Sequence, residues 1–179
     1  NKDNSLVIVS AGGLGLLALK IAKAAYGINP IVVDIDDEKL GMARQLGASA
    51  TVNSSEEGAA EKIMELTEGG ARSIVDFVGA ESSVNFGYNL LARGGSYVVV
   101  GLFGGQLTLP LPMQALTEKK LIGSYVGPLG DMKELMELVV QGKIDPVDVE
   151  TRDVSEANRT LEEMKAGKLM GLVALTHDS

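Results

Sequence analysis

The 179-residue sequence contains no cysteine, and its single histidine is His177. Without cysteine the chain cannot form disulfide bonds, offer a thiolate nucleophile or bind zinc through sulfur. His177 lies close to the last residue, where we expect a solvent-exposed tail rather than a catalytic base. The sequence therefore predicts no catalytic group and no metal ligand within these residues.

Aromatic residues are also scarce, at 4% with no tryptophan, while hydrophobic residues as a whole reach 45%. This composition indicates a soluble globular domain with an aliphatic core. The net charge of −8 argues against nucleic acid as a partner, because no basic surface is available to meet a phosphate backbone. Neither a signal peptide nor a membrane-spanning run is recognisable, so we expect no membrane partner and a cytoplasmic location.

Short apolar runs alternate with segments whose apolar residues recur at helical spacing. The predicted strands are residues 6–10, 31–34, 50–53, 73–77, 96–100 and 120–125. The predicted helices between them are residues 14–26, 36–46, 57–67 and 80–91. This alternation predicts a doubly wound α/β fold of the Rossmann type, with a six-stranded parallel sheet in the order 3-2-1-4-5-6. In a sheet with this strand order, a crevice forms between strands 1 and 4, where the order reverses.

The residues after 127 follow a different pattern. The predicted elements are a helix at 129–141, a strand at 147–153, a helix at 155–166 with Ser155 as N-cap, and a strand at 171–175. These elements do not fit into a completed six-stranded sheet. We therefore divide the chain into a Rossmann domain at 1–127 and a C-terminal segment at 128–179 that packs with something else.

A glycine-rich turn joins the first predicted strand to the first helix, from Ser10 to Gly15. It resembles the dinucleotide-binding pattern G-x-G-x-x-G, with Ser10 in place of the first glycine. Gly12 matches the second glycine, where a side chain would block a pyrophosphate, and Gly15 matches the third, where helix and strand pack closely. The N–H groups of Gly13 and Leu14 would then face phosphates at the positive end of the helix.

Asp34 lies 19 residues after Gly15, at the end of the second predicted strand. An acidic side chain at that place accepts hydrogen bonds from the adenosine ribose of a dinucleotide. Capping of the next helix is the alternative role, but Asp36 and Asp37 are better placed for it. Together with Glu38, these acids would repel a 2′-phosphate, so the sequence favours NAD over NADP.

Two further turns follow the fourth and fifth predicted strands, where open α/β sheets bind ligands. Val78 and Gly79 lie in the first of these turns, and Val100 and Gly101 begin the second. We predict that residues of these turns line the adenine and nicotinamide parts of the site. The alternative interpretation is that these residues only pack in the core and in turns, since the same residue types are common there.

These motifs resemble the coenzyme domain of the medium-chain, zinc-dependent alcohol dehydrogenases. The similar segments span nearly the whole chain: residues 10–15, 33–35, 41–48, 76–79, 94–101, 121–127, 142–144 and 167–168. The resemblance implies the NAD-binding part of an enzyme that transfers hydride between an alcohol or carbonyl and NAD. In this family the zinc ligands lie mainly in an N-terminal catalytic domain, which the sequence starts too late to include, so we expect zinc only there.

The resemblance also implies which residues of this chain would contact each part of NAD. Gly13 and Leu14 contact the pyrophosphate, and Asp34 and Lys39 hold the adenosine ribose. The residues near the two rings are Val78 on the adenine side, with Val100 and Ser124 near nicotinamide. The family often carries arginine near the coenzyme in its last strand, where this chain has Leu172.

Three other interpretations remain open. A zinc-free medium-chain reductase, such as a quinone oxidoreductase, usually prefers NADP, which Asp34 disfavours. The second interpretation is a nucleotide-binding module that has no catalytic partner. A methyltransferase also binds adenosine with a glycine turn and an acid, but its sheet ends in an antiparallel hairpin, whereas residues 120–125 predict a sixth parallel strand.

The segment from Gly105 to Leu111 alternates, with Leu107, Leu109 and Leu111 on one face and Thr108 on the other, and proline stands at 110 and 112. Proline lacks a donor for the sheet ladder, so this pattern predicts an edge strand, with a loop that crosses the surface as the alternative. Dimers of the resembled family join at this margin of the sheet. We therefore expect a homodimer through residues 105–111.

Overall fold

The computed structural model describes residues 5–145, 149–169 and 171–177. The strands in these ranges are β1 (Leu6–Val9), β2 (Ile31–Asp34), β3 (Ala50–Asn53), β4 (Ala71–Asp76), β5 (Leu91–Val99), β6 (Lys120–Gly123), β7 (Val149–Asp153) and β8 (Leu172–Thr176). The α-helices are α1 (Gly13–Tyr26), α2 (Asp37–Gln45), α3 (Ala59–Leu66), α4 (Glu81–Asn89), α5 (Leu111–Thr117), α6 (Leu129–Val140) and α7 (Ala157–Lys165). One turn of 3-10 helix, Val154–Glu156, precedes α7.

The first six strands form one parallel sheet in the order β3-β2-β1-β4-β5-β6. Val9 at the end of β1 pairs with Val33 of β2 on one side and with Asp76 of β4 on the other. The strand order therefore reverses beside β1, as the sequence predicts, and the Rossmann fold is confirmed. Ligands of such sheets bind at the carboxyl ends of the strands at this reversal.

Alternate residues of each central strand enter two separate apolar clusters, one on each face of the sheet, because successive strand side chains point to opposite faces. On one face Val7 packs in a cluster with Ile63 of α3 and Tyr88 of α4. On the other face Ile8 packs in a cluster with Leu19 of α1 and with residues of α2. The strand β1 is thus held from both sides, which fixes the position of the turn that follows it.

The prediction of an edge strand from Gly105 to Leu111 is wrong. No strand forms there, and α5, which the sequence reading missed, begins at Leu111. Leu107 and Leu109 are partly buried and pack against the apolar cluster on the α3 and α4 face. Proline stands in the first turn of α5, where its fixed φ and missing N–H favour a helix start. The outer edge of the sheet is formed by β6 instead.

Other boundaries differ by smaller amounts. Strand β5 begins at Leu91 rather than at residue 96, and its pairing with β4 shifts register between Ala71 and Ser73. The prediction of Ser155 as N-cap is wrong, because the Asp153 side chain accepts the hydrogen bond from the Ser155 N–H (2.9 Å). The strand predicted at 147–153 begins outside the described residues and is observed from 149.

Strands β7 and β8 form a separate two-stranded parallel sheet, as expected for elements outside the main sheet. Arg152 of β7, with a side chain only 10% exposed, forms ion pairs with Glu150 (2.7 Å) and with Glu163 of α7 (2.7 Å). Thr160 accepts a further hydrogen bond from the same guanidinium (3.2 Å). These contacts join α7 to the small sheet.

Replacing Gly15 by alanine should lower the free energy of unfolding by about 2 kcal/mol or more, because an added Cβ would lie 1.9 Å from the Ser10 carbonyl oxygen. The matched control is Gly41→Ala in α2, where an added Cβ meets nothing within 4 Å. That change should raise the free energy of unfolding by roughly 0.5–1 kcal/mol through helix propensity. Urea unfolding followed by circular dichroism measures both, and equal effects would contradict close packing of α1 on β1.

Candidate functional site

The turn between β1 and α1 begins at Ser10, whose φ of +91° lies where residues other than glycine are rare. The Ser10 N–H donates to the carbonyl of Val33 (2.8 Å), and its hydroxyl accepts from the N–H of Gly12 (3.2 Å). Ser10 thus adopts the backbone conformation that favours glycine at the first position of the fingerprint. The bond from its side chain to the turn offsets part of the strain.

The first turn of α1 presents backbone N–H groups that the helix itself does not use. The first bond of the helix ladder runs from the N–H of Leu16 to the carbonyl of Gly12 (2.9 Å). The N–H groups of Gly13, Leu14 and Gly15 therefore precede the ladder, at the positive end of the helix dipole. No acidic side chain lies in this turn. These features make the turn suited to an anion.

Leu172, the first residue of β8, borders the same turn. Its Cδ2 atom lies 2.8 Å from the position that a Cβ on Gly13 would occupy, so a side chain at Gly13 would collide with it. The Leu172 side chain is partly exposed at 40%. An apolar group, rather than a basic one, therefore stands beside the N-terminus of α1.

Asp34 is held against the glycine turn by three backbone groups. Its Oδ2 accepts from the N–H of Ala11 (2.6 Å), and its Oδ1 accepts from the N–H groups of Ile35 (2.8 Å) and Asp36 (3.1 Å). Asp36 caps α2 by accepting from Glu38 and Lys39, as the sequence predicts. Each carboxylate oxygen can accept two hydrogen bonds, so Oδ2 retains capacity for one more donor.

A cavity of 430 Å³ opens at the carboxyl ends of the strands where the order reverses. Its volume lies within the range of small-molecule pockets, about 300–1,000 Å³. Apolar and polar residues line it in equal number: Val9, Ser10, Val33, Asp34, Ile35, Ser54, Val78, Ser82, Ser83 and Phe86. The structure therefore brings Ser10, Asp34 and Val78 together around one space.

The other predicted site residues are not among those that line this cavity: Gly12, Gly13, Leu14, Gly15, Lys39, Val100, Gly101 and Ser124. Val100 and Gly101 follow β5, and the N–H of Ser124 donates to the carbonyl of Val99 (2.9 Å). Ser124 is exposed just beyond β6. Val100, Gly101 and Ser124 thus lie at the carboxyl ends of neighbouring strands, whereas Lys39 lies in α2. The role of these predicted residues in binding stays a prediction.

Asp76, which the sequence reading placed only within a motif, is fully buried at the end of β4. Its Oδ1 accepts from the N–H groups of Val78 (2.8 Å) and Gly79 (3.1 Å). Its Oδ2 accepts from the hydroxyls of Ser83 (2.8 Å) and Tyr97 (2.9 Å). Burial, followed by the charge and hydrogen bonding of Asp76, raises the pKa of Tyr97 well above its usual value, so that hydroxyl remains a donor.

The turns after β4 and β5 touch each other through their backbones. A Cβ on Gly79, whose φ is +64°, would lie 1.9 Å from the carbonyl oxygen of Gly101. The carbonyls of Val78 and Gly79 accept from the N–H groups of Phe103 (3.2 Å) and Gly104 (2.9 Å). The two turns therefore form one continuous wall beside the cavity, and glycine is required where they meet.

A family model described as zinc-binding dehydrogenase matches residues 13–141, which is more than half of the chain. The chain belongs to the zinc-binding dehydrogenase family. The match begins with the first residue of α1, covers β2 to β6, and ends just after α6.

Relatives of the family agree with this assignment. An NAD-dependent alcohol dehydrogenase of Sulfurisphaera tokodaii is 36% identical over 171 residues, covering 94% of this chain and 49% of the relative. An alcohol dehydrogenase of Geobacillus stearothermophilus is 35% identical, covering 95% and 49%. The crystal structure of the alcohol dehydrogenase from Aeropyrum pernix superposes with a TM-score of 0.88 at 34% identity, covering 96% and 49%. The chain spans about half the length of the curated relatives it matches.

The family description implies zinc, but the residues present do not fit a zinc site. The sequence has no cysteine, and the described residues contain no group of three or more His, Cys, Asp or Glu side chains that could hold a metal ion. His177 is exposed beyond β8.

Among the described residues, no helix combines the length and apolar character needed to cross a membrane.

Asp34→Ala should lower the free energy of unfolding by about 1–3 kcal/mol, because the N–H of Ala11 and two further backbone donors lose their acceptor. Asp34→Asn retains an acceptor oxygen and should cost less. Glu57→Ala removes an exposed acid and should change stability by less than about 0.5 kcal/mol. Chemical unfolding measures all three variants. An Asp34→Ala variant as stable as Glu57→Ala would show that the carboxylate does not hold the turn.

Proposed function

We propose that this chain binds NAD(H) and is the dinucleotide-binding part of an alcohol dehydrogenase-like oxidoreductase. The observation that carries the proposal is the cavity at the reversal of strand order, which Asp34 borders together with the turn that leads into α1. Family membership supports it, as do relatives that are described as NAD-dependent alcohol dehydrogenases. The Rossmann unit at 1–127 and the cytoplasmic location remain predictions.

The residues at this site fit the adenosine and pyrophosphate parts of a dinucleotide. The N–H groups of Gly13 and Leu14 suit phosphate oxygens, because they precede the helix ladder at its positive end. Asp34 retains acceptor capacity for a ribose hydroxyl, and Lys39 follows on the next helix as the second ribose contact. Val78 contributes an apolar wall suited to adenine.

Nicotinamide would lie toward the ends of β5 and β6, near Val100, Gly101 and Ser124. When bound, NAD(H) supplies the hydride acceptor or donor for interconversion of an alcohol and a carbonyl. This chain's own residues bind and orient the dinucleotide. Because the sequence lacks cysteine and has one exposed histidine, we propose that metal ligands and substrate-binding groups are supplied by residues other than these.

The alternative functions explain fewer observations. A methyltransferase sheet would end in an antiparallel hairpin, whereas β6 pairs with β5 in parallel. A zinc-free reductase that prefers NADP would have to place a 2′-phosphate beside Asp34. A nucleotide-binding module with no catalytic partner accounts for the site, but not for the dehydrogenase family match.

We also propose that the chain forms a homodimer, through β6 rather than through residues 105–111. The outer side of β6 has no neighbouring strand among the described residues. Its Leu121 and Ile122 are 45% and 43% exposed, and Tyr125 and Val126 beyond it are more exposed still. Pairing of two such edges about a two-fold axis would satisfy open backbone groups on both copies and cover this apolar surface.

NADH should bind about tenfold or more tightly than NADPH, because a 2′-phosphate would face the Asp34 carboxylate. Calorimetry with NADH, NADPH and S-adenosylmethionine measures the three affinities side by side. Asp34→Ser or Asp34→Arg should reduce the difference in affinity between NADH and NADPH. Glu57→Ser, which removes an exposed acid elsewhere, should leave that difference unchanged. Equal affinities of the unchanged chain for NADH and NADPH would contradict the proposal.

Sedimentation equilibrium should give the mass of a dimer at micromolar concentrations. Ile122→Lys should shift the protein to monomer, because it places a charge on the strand that pairs. Tyr26→Lys changes a 74% exposed aromatic residue at the end of α1 and should leave the dimer intact. A monomeric unchanged chain would refute the dimer, and a dimer insensitive to Ile122→Lys would refute its location.

A further inference from the structure

Asp76 connects the two turns that form the wall of the proposed dinucleotide site. Its side chain accepts from the N–H groups of Val78 and Gly79 after β4. Its backbone carbonyl accepts from the N–H groups of Val100 (2.9 Å) and Gly101 (3.0 Å) after β5. One buried residue therefore fixes both turns, although it does not line the cavity itself.

The orientation of the Asp76 carboxylate depends on two hydroxyl groups. Ser83 donates to Oδ2 from the first turn of α4, and it also lines the cavity. Tyr97 donates to the same oxygen from β5, where it is fully buried, and its hydroxyl lies 3.1 Å from the carbonyl of Ser83. Removal of either hydroxyl leaves the carboxylate with one donor fewer to hold Oδ1 against the turn.

A change at the first turn is transmitted to the second, because their backbones are in contact. Any movement of Gly79 toward Gly101 is blocked, since these residues already meet with no room for a Cβ on either. Val78, which lines the cavity, also accepts the N–H of Phe103 from the second turn. The positions of the two turns are therefore set jointly.

We propose that Asp76, oriented by the Tyr97 and Ser83 hydroxyls, is a positioning residue for dinucleotide binding. Its carboxylate holds Val78 on the adenine side, and its backbone carbonyl holds Val100 and Gly101 on the nicotinamide side, in the geometry that the cofactor requires. This inference rests on the proposed NAD function. It assigns to the buried Asp76 and Tyr97 side chains, which do not line the cavity, a measurable share of cofactor affinity.

The test compares Tyr97→Phe with Tyr88→Phe. Tyr88 is also buried, its ring centroid lies 6.2 Å from that of Tyr97, and its hydroxyl donates to Gln114 instead of Asp76. Both variants lose one hydrogen-bonded hydroxyl from the same apolar cluster, so similar losses of stability are expected. Calorimetry should show NADH binding weakened about fivefold in Tyr97→Phe and unchanged in Tyr88→Phe.

A second measurement does not depend on a ligand. In amide NMR spectra without NADH, Tyr97→Phe should shift the signals of Val78, Gly79, Val100 and Gly101, and Tyr88→Phe should leave them in place. Asp76→Asn retains one acceptor oxygen and should give an NADH affinity between those of Asp76→Ala and the unchanged chain.

The two proposals fail in different ways. If the unchanged chain binds no NADH, the proposed function is refuted and this inference with it. If the unchanged chain binds NADH and Tyr97→Phe behaves like Tyr88→Phe in both measurements, only the positioning role is overturned. Should Tyr97→Phe fail to fold, Asp76→Asn replaces it in the same comparison, because Asp76 does not line the cavity. A loss of NADH affinity is then expected, and an unchanged affinity overturns the role.

Discussion

The contact between Gly15 and the Ser10 carbonyl is the constraint on which the rest of the site depends. It brings the axis of α1 close to the end of β1, so the helix N-terminus points at the carboxyl edge of the sheet. With any larger residue the helix would have to tilt or move away, and its N–H groups would no longer meet the space beside Asp34. The apolar clusters on both faces hold β1 in place. Because Gly15 packs directly against Ser10 at the end of β1, the turn and the first N–H groups of α1 are held in place with the strand.

An acidic chain can bind a negatively charged cofactor because the attraction is local and comes from the backbone. The net charge of −8 is spread over the chain, while the first turn of α1 contains no acidic side chain. Asp34 stands nearby, yet three of its acceptor positions are taken by backbone N–H groups, which stabilise its charge. In the proposed binding mode, the same carboxylate repels a 2′-phosphate and leaves the pyrophosphate position unopposed.

The sequence predicts the elements whose ends are marked by strong local signals. Strands β2 and β3 have the predicted bounds, because apolar runs there are closed by polar residues. The alternation of Leu107 and Leu109 predicts a strand at 105–111, but they lie in an irregular segment before α5. Proline in the first turn of α5 was the available sign of a helix start. The fingerprint glycines and Asp34 could be placed from spacing alone. The role of Asp76 could not, because its partner Tyr97 is distant in sequence, and the one available hint was an acid ending an apolar strand.

The contact between Leu172 and Gly13 joins the last described strand to the first turn of the fold, with almost the whole chain between them. During synthesis on a ribosome, Leu172 cannot reach the glycine turn until residue 172 has emerged. The six-stranded sheet can assemble before that moment, since its strands all precede α6. Closure of this side of the turn is therefore a late, long-range event in folding, and contacts of such high sequence separation form slowly. A nascent chain stalled after β6 would lack the Leu172 side chain beside Gly13 and would be open on that side of the turn.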